Sequence, residues 1–378
     1  MKIVADENIP LLDAFFSDIS SELITKAGRN LCAEDVKDAD ILLVRSITQV
    51  NESLLSGSKV KFVGTCTIGT DHIDLEYLSK QGIAFASAPG CNAQAVVDYV
   101  LSALLTVSER WQRPWQSLSV GIVGAGNVGG RLYQVLKGIG MDVEAYDPNV
   151  EEFQSSECAE AVWKKDVVTL HTPITHEGPH ATYHLVNQER LNAMPRRACL
   201  INSCRGKVVD NSALLAHLKQ HPDFLAVMDV WEAEPSPSDE LMQSCLLATP
   251  HIAGYSLDGK YRGTSMIYEA LCEFMALPKR LKLPQLIAEP ALRKISVSPD
   301  ANENFALKKL IRGAYDIRDD HFRMMSLYGL NDEDKAVQFD RLRKDYPTRR
   351  DLTCLTLSAK RFSESKTLAA LGIKLKQV

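Results

Sequence analysis

The sequence predicts an α/β protein with two doubly wound parallel-sheet domains and a small α+β domain at its C-terminal end. Three observations support this: the length of 378 residues, a repeated order of apolar strand-like and helical segments, and a change of charge near residue 285. With roughly 100 to 200 residues per domain, two or three domains are expected. Charged residues make up 24% and hydrophobic residues 45% of the chain, a globular composition that excludes global disorder.

Membrane and secretion segments are not expected in this sequence. The apolar stretch 96–107 is interrupted by Asp98, and it falls short of the roughly 18 apolar residues that a membrane span needs. Asp6 and Glu7 stand where a secretion signal would have its apolar core. Nine cysteines without a CxxC pair are typical of reduced thiols. We therefore expect a cytoplasmic protein without a membrane partner.

The first 92 residues predict the first parallel sheet. Short apolar runs alternate with helix-length segments, an order that favours parallel pairing. The expected strands are 2–5, 39–45, 60–64 and 83–87. A turn at 89–92 precedes a long helix over 93–113, which leads into the second domain.

The second domain is predicted over residues 93–255 from the same alternation. Expected strands are 120–123, 142–146, 166–170, 198–202 and 224–229, with helices from the glycine-rich loop to about 140 and over 212–220. A further helix over 254–277 is expected to return to the first domain. The first domain is therefore assigned to residues 1–92 and 256–280.

The segment from 285 to 378 differs in composition from the rest. It carries 18 Lys and Arg against 13 Asp and Glu, a net charge of +5 that leaves −10 for the first 284 residues. A strand at 295–299 and helices at 305–315 and 340–344 are expected there, without a catalytic motif. Because the rest of the chain is acidic, this charge favours a subunit interface over a nucleic-acid partner.

A glycine-rich loop stands between a strand and a helix of the second domain. Gly124, Gly126 and Gly129 form a GxGxxG pattern, with Asn127 and Val128 opening the helix. Such a loop allows a tight turn, close approach of a pyrophosphate and tight packing of helix on strand, which is the dinucleotide-binding Rossmann pattern. Asp147 ends the next strand, where a carboxylate binds a ribose 2′-hydroxyl and repels a 2′-phosphate. The loop therefore predicts NAD rather than NADP.

Three polar residues follow strands of the second domain and predict an active site. Arg205, Glu234 and His251 each come just after an apolar run, and ligands bind at the carboxyl ends of parallel strands. An imidazole oriented by a carboxylate removes a hydroxyl proton, while a guanidinium holds a carboxylate. This set fits hydride transfer from a 2-hydroxy acid.

The HExxH pattern at 176–180 contains a Gly-Pro step that breaks a helix, so no metal site is expected.

Several motifs resemble the D-2-hydroxyacid dehydrogenases over residues 1–277. They are the glycine loop, GTCTIGTDHID at 64–74, PGCNA at 89–93, NSCRGKVVD at 202–210, DVWEAEP at 229–235 and the Pro-His pair at 250–251. The resemblance implies a flavodoxin-like substrate domain, a Rossmann NAD domain, and the catalytic set named above. It implies NAD contacts at Asp147, Thr172, Asp229 and Gly254, and substrate contacts at Ser46, Thr67 and Tyr255.

The opening ADENIP at 5–10, VRSIT at 44–48 and HIAGYSLDGK at 251–260 resemble one branch of this family. That branch oxidises a phosphorylated four-carbon 2-hydroxy acid and forms homodimers through an extra C-terminal domain, here 285–378. Alternatives are another D-2-hydroxy acid such as glycerate or 3-phosphoglycerate, or a non-catalytic NAD-sensing regulator. The basic groups that hold the phosphate stay open, with Arg349 and Arg350 of a second subunit as candidates.

Overall fold

The chain, a computed structural model that describes residues 1–298, 300–358, 362 and 365–376, divides into two compact units. The first unit contains Met1–Asn92 and Ser256–Glu289, and the second contains Ala93–Tyr255 and Pro290–Val378. Within the described ranges, we find no helix with the length and apolar character needed to cross a membrane.

The first unit contains a five-stranded sheet in which every strand pair is parallel. Its strands are β1 (Lys2–Asp6), β2 (Glu22–Lys26), β3 (Ile41–Val44), β4 (Phe62–Thr65) and β5 (Ala84–Ala86), and its first helices are α1 (Leu12–Phe16), α2 (Ala33–Val36), α3 (Glu52–Leu55) and α4 (Leu75–Lys80). The order β2-β1-β3-β4-β5 is that of flavodoxin-like folds. Strand β2 was not predicted, because this edge strand is half exposed and has no continuous apolar run.

The second unit begins with the long helix α5 (Ala93–Trp111) and contains a six-stranded parallel sheet. Its strands are β6 (Val120–Val123), β7 (Val143–Tyr146), β8 (Val167–Leu170), β9 (Cys199–Asn202), β10 (Leu225–Met228) and β11 (Leu247–Ala248), and its helices are α6 (Asn127–Ile139), α7 (Ser156–Ala161), α8 (Gln188–Ala193), α9 (Asn211–Gln220) and α10 (Asp239–Ser244). The order is β11-β10-β9-β8-β6-β7, so the chain reverses direction at β6, where doubly wound sheets bind ligands. The predicted α/β class with two parallel sheets is confirmed.

Helix α11 (Leu257–Phe274) returns to the first unit, as the sequence predicts. It packs directly on β4, where a Cβ atom on Gly64 would lie 2.5 Å from Cγ2 of Ile267. Tyr268 of α11 packs against Phe15 and Phe16 in the same core. Two separated stretches of the chain therefore complete the first unit.

The C-terminal segment belongs to the second unit. It contains a parallel sheet of β12 (Lys294–Ser296), β13 (Thr356–Ser358) and β14 (Lys374–Lys376), with helices α12 (Glu303–Ala314), α13 (Ile317–Met324), α14 (Asp332–Lys344) and α15 (Lys366–Ala370). Leu307 and Leu310 of α12 share one hydrophobic core with α5, and a Cβ on Gly138 would lie 2.6 Å from that of Ala370. The predicted strand 295–299 corresponds to β12, and residue 299 lies outside the described residues. A separate dimerisation domain over 285–378 stays a prediction.

Candidate active site

The three predicted catalytic residues follow three neighbouring strands of the second unit. Arg205 follows β9, Glu234 follows β10 and His251 follows β11, and these strands lie side by side in the sheet. Because all three strands are parallel, their carboxyl ends lie at one edge of the sheet. The sheet topology therefore brings the three loops to the same edge.

His251 and Glu234 form a hydrogen-bonded pair. His251 Nδ1 lies 2.8 Å from Glu234 Oε2, and Glu234 Oε1 accepts a bond of 2.9 Å from the backbone amide of Trp231. An ionised carboxylate only accepts hydrogen bonds, so Nδ1 carries the proton and Nε2 is left with its lone pair. The imidazole is therefore held in the tautomer that accepts a proton at Nε2.

The charge state of Glu234 depends on this pair. Burial raises the pKa of Glu234, but the hydrogen bond and charge of His251, together with the Trp231 amide, outweigh burial. The pKa of Glu234 is therefore held below its usual value of 4.5. Glu234 is ionised at neutral pH and stabilises a positive charge on the imidazole.

The loop that carries His251 is fixed by the buried carboxylate of Asp229. Asp229 is 1% exposed, and it accepts hydrogen bonds from Thr249 Oγ1 at 2.6 Å and from the amides of Ile252 and Ala253 at 2.8 and 2.9 Å. His251 itself has a left-handed backbone, with φ of 58°, and its amide donates to the Asp229 carbonyl. These bonds hold His251 in a conformation that costs energy for a non-glycine residue.

The loops after β9 and β10 touch at Gly206. A Cβ atom there would lie 2.0 Å from the carbonyl oxygen of Trp231, so only glycine fits this approach. Arg205 directly precedes this contact, and Trp231 lies three residues before Glu234. The side chain of Asn202 also donates to the Arg205 carbonyl at 3.0 Å, which fixes the backbone that carries the guanidinium.

The glycine-rich loop has the geometry that a pyrophosphate requires. Gly124 has φ of +91°, and a Cβ on Gly129 would lie 1.8 Å from the Gly124 carbonyl oxygen. A Cβ on Gly126 would meet no atom within 4 Å, so this glycine leaves open space in front of the N-terminus of α6. Asp147 Oδ2 accepts a bond of 2.9 Å from the Ala125 amide, which ties the loop to the end of β7. These residues fit an NAD molecule.

The other predicted cofactor contacts occupy distinct positions in the second unit. Asn127 and Val128 open helix α6. Thr172 follows β8, and its Oγ1 lies 3.9 Å from Cys204 Sγ. Gly254 follows the two amides bound by Asp229, so Asp229 has a loop-fixing role that the motif alone did not indicate. NAD contact by these residues stays a prediction.

The predicted substrate residues lie in both units. Ser46 and Thr67 belong to the first unit, where each follows a strand, and Thr67 Oγ1 lies 2.7 Å from Thr65 Oγ1. Ser46 is exposed, whereas its neighbour Arg45 pairs with the buried Asp6 at 3.0 Å. Tyr255 belongs to the second unit, at the end of the loop that carries His251.

Sequence reasoning missed the contribution of the C-terminal segment to this loop. The ring of Tyr346 packs edge-on against Tyr255, with centroids 5.6 Å apart, and the guanidinium of Arg343 lies 5.8 Å from the Tyr255 ring centroid. Arg349 donates to the Ala253 carbonyl at 3.4 Å. No spacing rule could have linked these positions, because about 90 residues separate them in the sequence.

Arg349, one of the two candidates for a phosphate contact from a second subunit, is buried within its own unit. Its side chain is 6% exposed, its guanidinium lies 3.6 Å from the ring centroid of Tyr315, and it donates to the carbonyls of Ala95 and Ala253. These contacts hold both Nη atoms of the guanidinium within its own unit, whereas its Nε has no hydrogen-bond partner among the described residues. This burial disfavours a phosphate contact of Arg349 in another subunit.

The HExxH pattern does not form a helix. Residues 176–180 lie in a loop, and within the described residues no group of three or more His, Cys, Asp or Glu side chains is placed to hold a metal ion. His184, further along this loop, pairs with Glu232 at 2.6 Å and thereby joins it to the loop after β10.

Comparisons with known proteins agree with this architecture. Residues 107–253 match the family model described as "D-isomer specific 2-hydroxyacid dehydrogenase, NAD binding domain", and residues 286–372 match a domain of unknown function. Among solved structures, D-lactate dehydrogenase from Aquifex aeolicus, complexed with NAD and lactic acid, has a TM-score of 0.61 and 25% identity, over 73% of this chain and 96% of its own. An Entamoeba histolytica 3-phosphoglycerate dehydrogenase with bound NAD+ has a TM-score of 0.63 and 23% identity, over 73% of this chain and 95% of its own, and shares the fold.

Curated relatives match over the whole length. Erythronate-4-phosphate dehydrogenase of Marinobacter nauticus is 49% identical over 100% of both chains, and that of Pseudomonas fluorescens is 48% identical over 98% of this chain and 99% of its own. The predicted dehydrogenase activity, the Rossmann fold and NAD as cofactor are thereby confirmed. The chain belongs to the D-isomer specific 2-hydroxyacid dehydrogenase family, within its erythronate-4-phosphate dehydrogenase branch.

Proposed function

We propose that this enzyme oxidises 4-phospho-D-erythronate to (R)-3-hydroxy-2-oxo-4-phosphooxybutanoate, a step of vitamin B6 biosynthesis. The observation that carries the proposal is the hydrogen-bonded pair of His251 and Glu234 at the carboxyl edge of a dinucleotide-binding sheet. The names of the full-length relatives support the substrate.

In this proposal His251 is the general base. Its Nε2 accepts the proton of the substrate 2-hydroxyl group, because Nδ1 already donates to Glu234. Glu234 stabilises the imidazolium that forms and keeps the ring in place. The left-handed backbone at His251 and the hydrogen bonds that the loop amides donate to Asp229 fix the position of the imidazole before substrate binds.

Bound NAD supplies the acceptor for the hydride that leaves the same carbon. Arg205 pairs with the substrate carboxylate and donates to the oxygen of the developing 2-oxo group. Ser46, Thr67 and Tyr255 contribute hydroxyl groups that bind the rest of the substrate. Asp147 accepts a hydrogen bond from the adenosine ribose, and its negative charge disfavours NADP.

We further propose that the C-terminal segment, 285–378, joins two copies of this chain. Five of the large exposed hydrophobic side chains among the described residues lie in it: Leu292, Phe305, Phe322, Tyr328 and Val337. Phe322 is 71% exposed and Val337 is 70% exposed, which is unusual for such side chains unless a partner covers them.

A cytoplasmic location is supported by six buried cysteines, which suit a reducing compartment.

A substrate comparison tests the proposed reaction. Steady-state formation of NADH is measured with 4-phospho-D-erythronate, D-glycerate and 3-phospho-D-glycerate under alkaline conditions, which favour oxidation of the hydroxy acid because the reaction releases a proton. We expect the highest kcat/KM with 4-phospho-D-erythronate, and a loss of about 10²- to 10⁴-fold in His251→Ala. A preference for either other acid, or full activity of His251→Ala, would contradict the proposal.

A further inference from the structure

Arg343 lies beside the active-site loop although it comes from the C-terminal helix α14. Its guanidinium carbon is 5.8 Å from the ring centroid of Tyr255 and 5.9 Å from that of Phe339, one helical turn earlier. The side chain is half-buried, and its Nε has no hydrogen-bond partner among the residues that the structure describes. The buried Nε of this guanidinium is therefore a donor that a ligand beside Tyr255 could use.

The position of Arg343 is held by its neighbours. Tyr346, three residues later, packs edge-on against Tyr255, and Arg349 bonds the Ala253 carbonyl. The segment 343–349 therefore contacts the loop of His251 at three places. Arg343 keeps its place relative to this loop without help from a second subunit.

The charges near Arg343 leave its cation available for a ligand. Burial lowers the pKa of Arg343, but its interactions with Tyr255, Glu234 and Asp340 outweigh burial, so its pKa is raised. Glu234 is itself paired with His251. Arg343 is thus permanently charged, and Glu234, the active-site carboxylate that acts on it, already has a partner.

We propose that Arg343 binds the phosphate group of the substrate and makes the enzyme specific for a phosphorylated acid. This inference rests on the proposed function. The phosphate ester lies two carbons beyond the reacting carbon, so its anchor must lie beside the catalytic pair and not on it. Arg343 meets that requirement through its contact with Tyr255, and its planar fork matches a phosphate in two hydrogen bonds.

The inference predicts a loss of substrate binding without a loss of chemistry. In Arg343→Ala, KM for 4-phospho-D-erythronate should rise about 10- to 100-fold, the value of charge-assisted hydrogen bonds to one phosphate. At saturating substrate kcat should stay within about threefold of wild type, and the acid limb of the pH profile should not move. NADH affinity, measured by fluorescence titration, should be unchanged.

Arg341→Ala is the matched control. Arg341 lies on the same helix, its side chain is 72% exposed, and its ion pair with Asp345 is a surface contact. This variant should keep the wild-type KM. Arg343→Lys retains the positive charge but not the planar guanidinium, so its KM should lie between those of the wild type and Arg343→Ala. If Arg343→Ala fails to bind NADH, the inference is tested with Arg343→Lys instead.

Three results would overturn the inference. The first is an unchanged KM in both Arg343→Ala and Arg343→Lys. The second is a rise of KM in Arg341→Ala equal to that in Arg343→Ala. The third is a fall of kcat in Arg343→Ala with a shifted acid limb of the pH profile and an unchanged KM, which would make Arg343 a positioning residue for Glu234. Inactivity of the wild type on 4-phospho-D-erythronate would instead overturn the proposed function, and this inference with it.

Discussion

Asp229→Asn tests whether the loop of His251 depends on the carboxylate beneath it. Asp229 accepts two bonds at one oxygen, from Thr249 and Ile252, and one at the other, from Ala253. Asparagine has nearly the same shape, but its NH2 group can only donate, so at least one backbone amide loses its acceptor in a buried site.

The loss can be estimated from these bonds. A hydrogen bond to a charged group contributes about 1.5 to 3 kcal/mol, and an unsatisfied buried donor costs about 1 to 3 kcal/mol, so the free energy of unfolding should fall by about 3 to 5 kcal/mol. For a folded unit of this size that corresponds to a decrease in Tm of about 6 to 20 °C. Because the same bonds position His251, kcat should fall about 100-fold.

Asp166→Asn is the control for this experiment. Asp166 also accepts several bonds, from Arg113 and from the amide and hydroxyl of Ser119, but it precedes β8 at the opposite edge of the same sheet. Its replacement should lower Tm and leave kcat unchanged. Calorimetry and steady-state rates below the transition measure both quantities. Wild-type kcat in Asp229→Asn, or an equal loss of kcat in both variants, would refute the reasoning.

The remaining predictions concern the catalytic pair, the cofactor and the dimer. Glu234→Gln should lower kcat about 10²- to 10⁴-fold in steady-state assays, since a neutral amide stabilises the imidazolium poorly. The pKa of Glu234 in the folded protein lies below 4.5, so ionised Glu234 stabilises the fold above that pH, and this stabilisation is lost as the pH falls through the folded pKa. The difference in Tm between Glu234→Gln and the wild type should therefore become smaller in acid. Asp147→Ala should weaken NADH binding at least about tenfold in a fluorescence titration, as one charge-assisted bond is worth that much, whereas Asp142→Ala at a surface ion pair should not. Phe322→Asp should shift sedimentation from dimer to monomer, and an unchanged dimer would contradict the assigned interface.

The parts of the fold that depend on continuous apolar runs were predictable. Strands such as Val120–Val123 and Val167–Leu170 are buried along their whole length, so their sequences are predominantly apolar. Helix α13 was missed because one of its buried positions is Asp320, which accepts bonds from the hydroxyls of Tyr315 and Tyr346. A buried polar network interrupts the apolar periodicity on which the prediction of an amphipathic helix relies.

The candidate site was predictable where residues follow strands, and not where distant segments meet. Arg205, Glu234 and His251 were placed at one edge because parallel strands end together. Arg343 could not be found in this way, because its contact with Tyr255 depends on how α14 packs in three dimensions. Arg349 was named as a candidate contact from a second subunit because its sequence context gives its charge but not the Ala95 and Ala253 carbonyls that accept its hydrogen bonds.

Two sets of contacts hold the loop of His251, and only one of them comes from the sheet. Asp229 binds its amides from the end of β10, whereas Arg349 binds the carbonyl of Ala253 from the C-terminal segment. Helix α14 in that same segment carries the exposed Val337 on its surface and Arg343 beside the loop. The proposed dimer surface and the proposed phosphate anchor therefore belong to one packed structure, so a C-terminal truncation would remove a wall of the active site together with the interface.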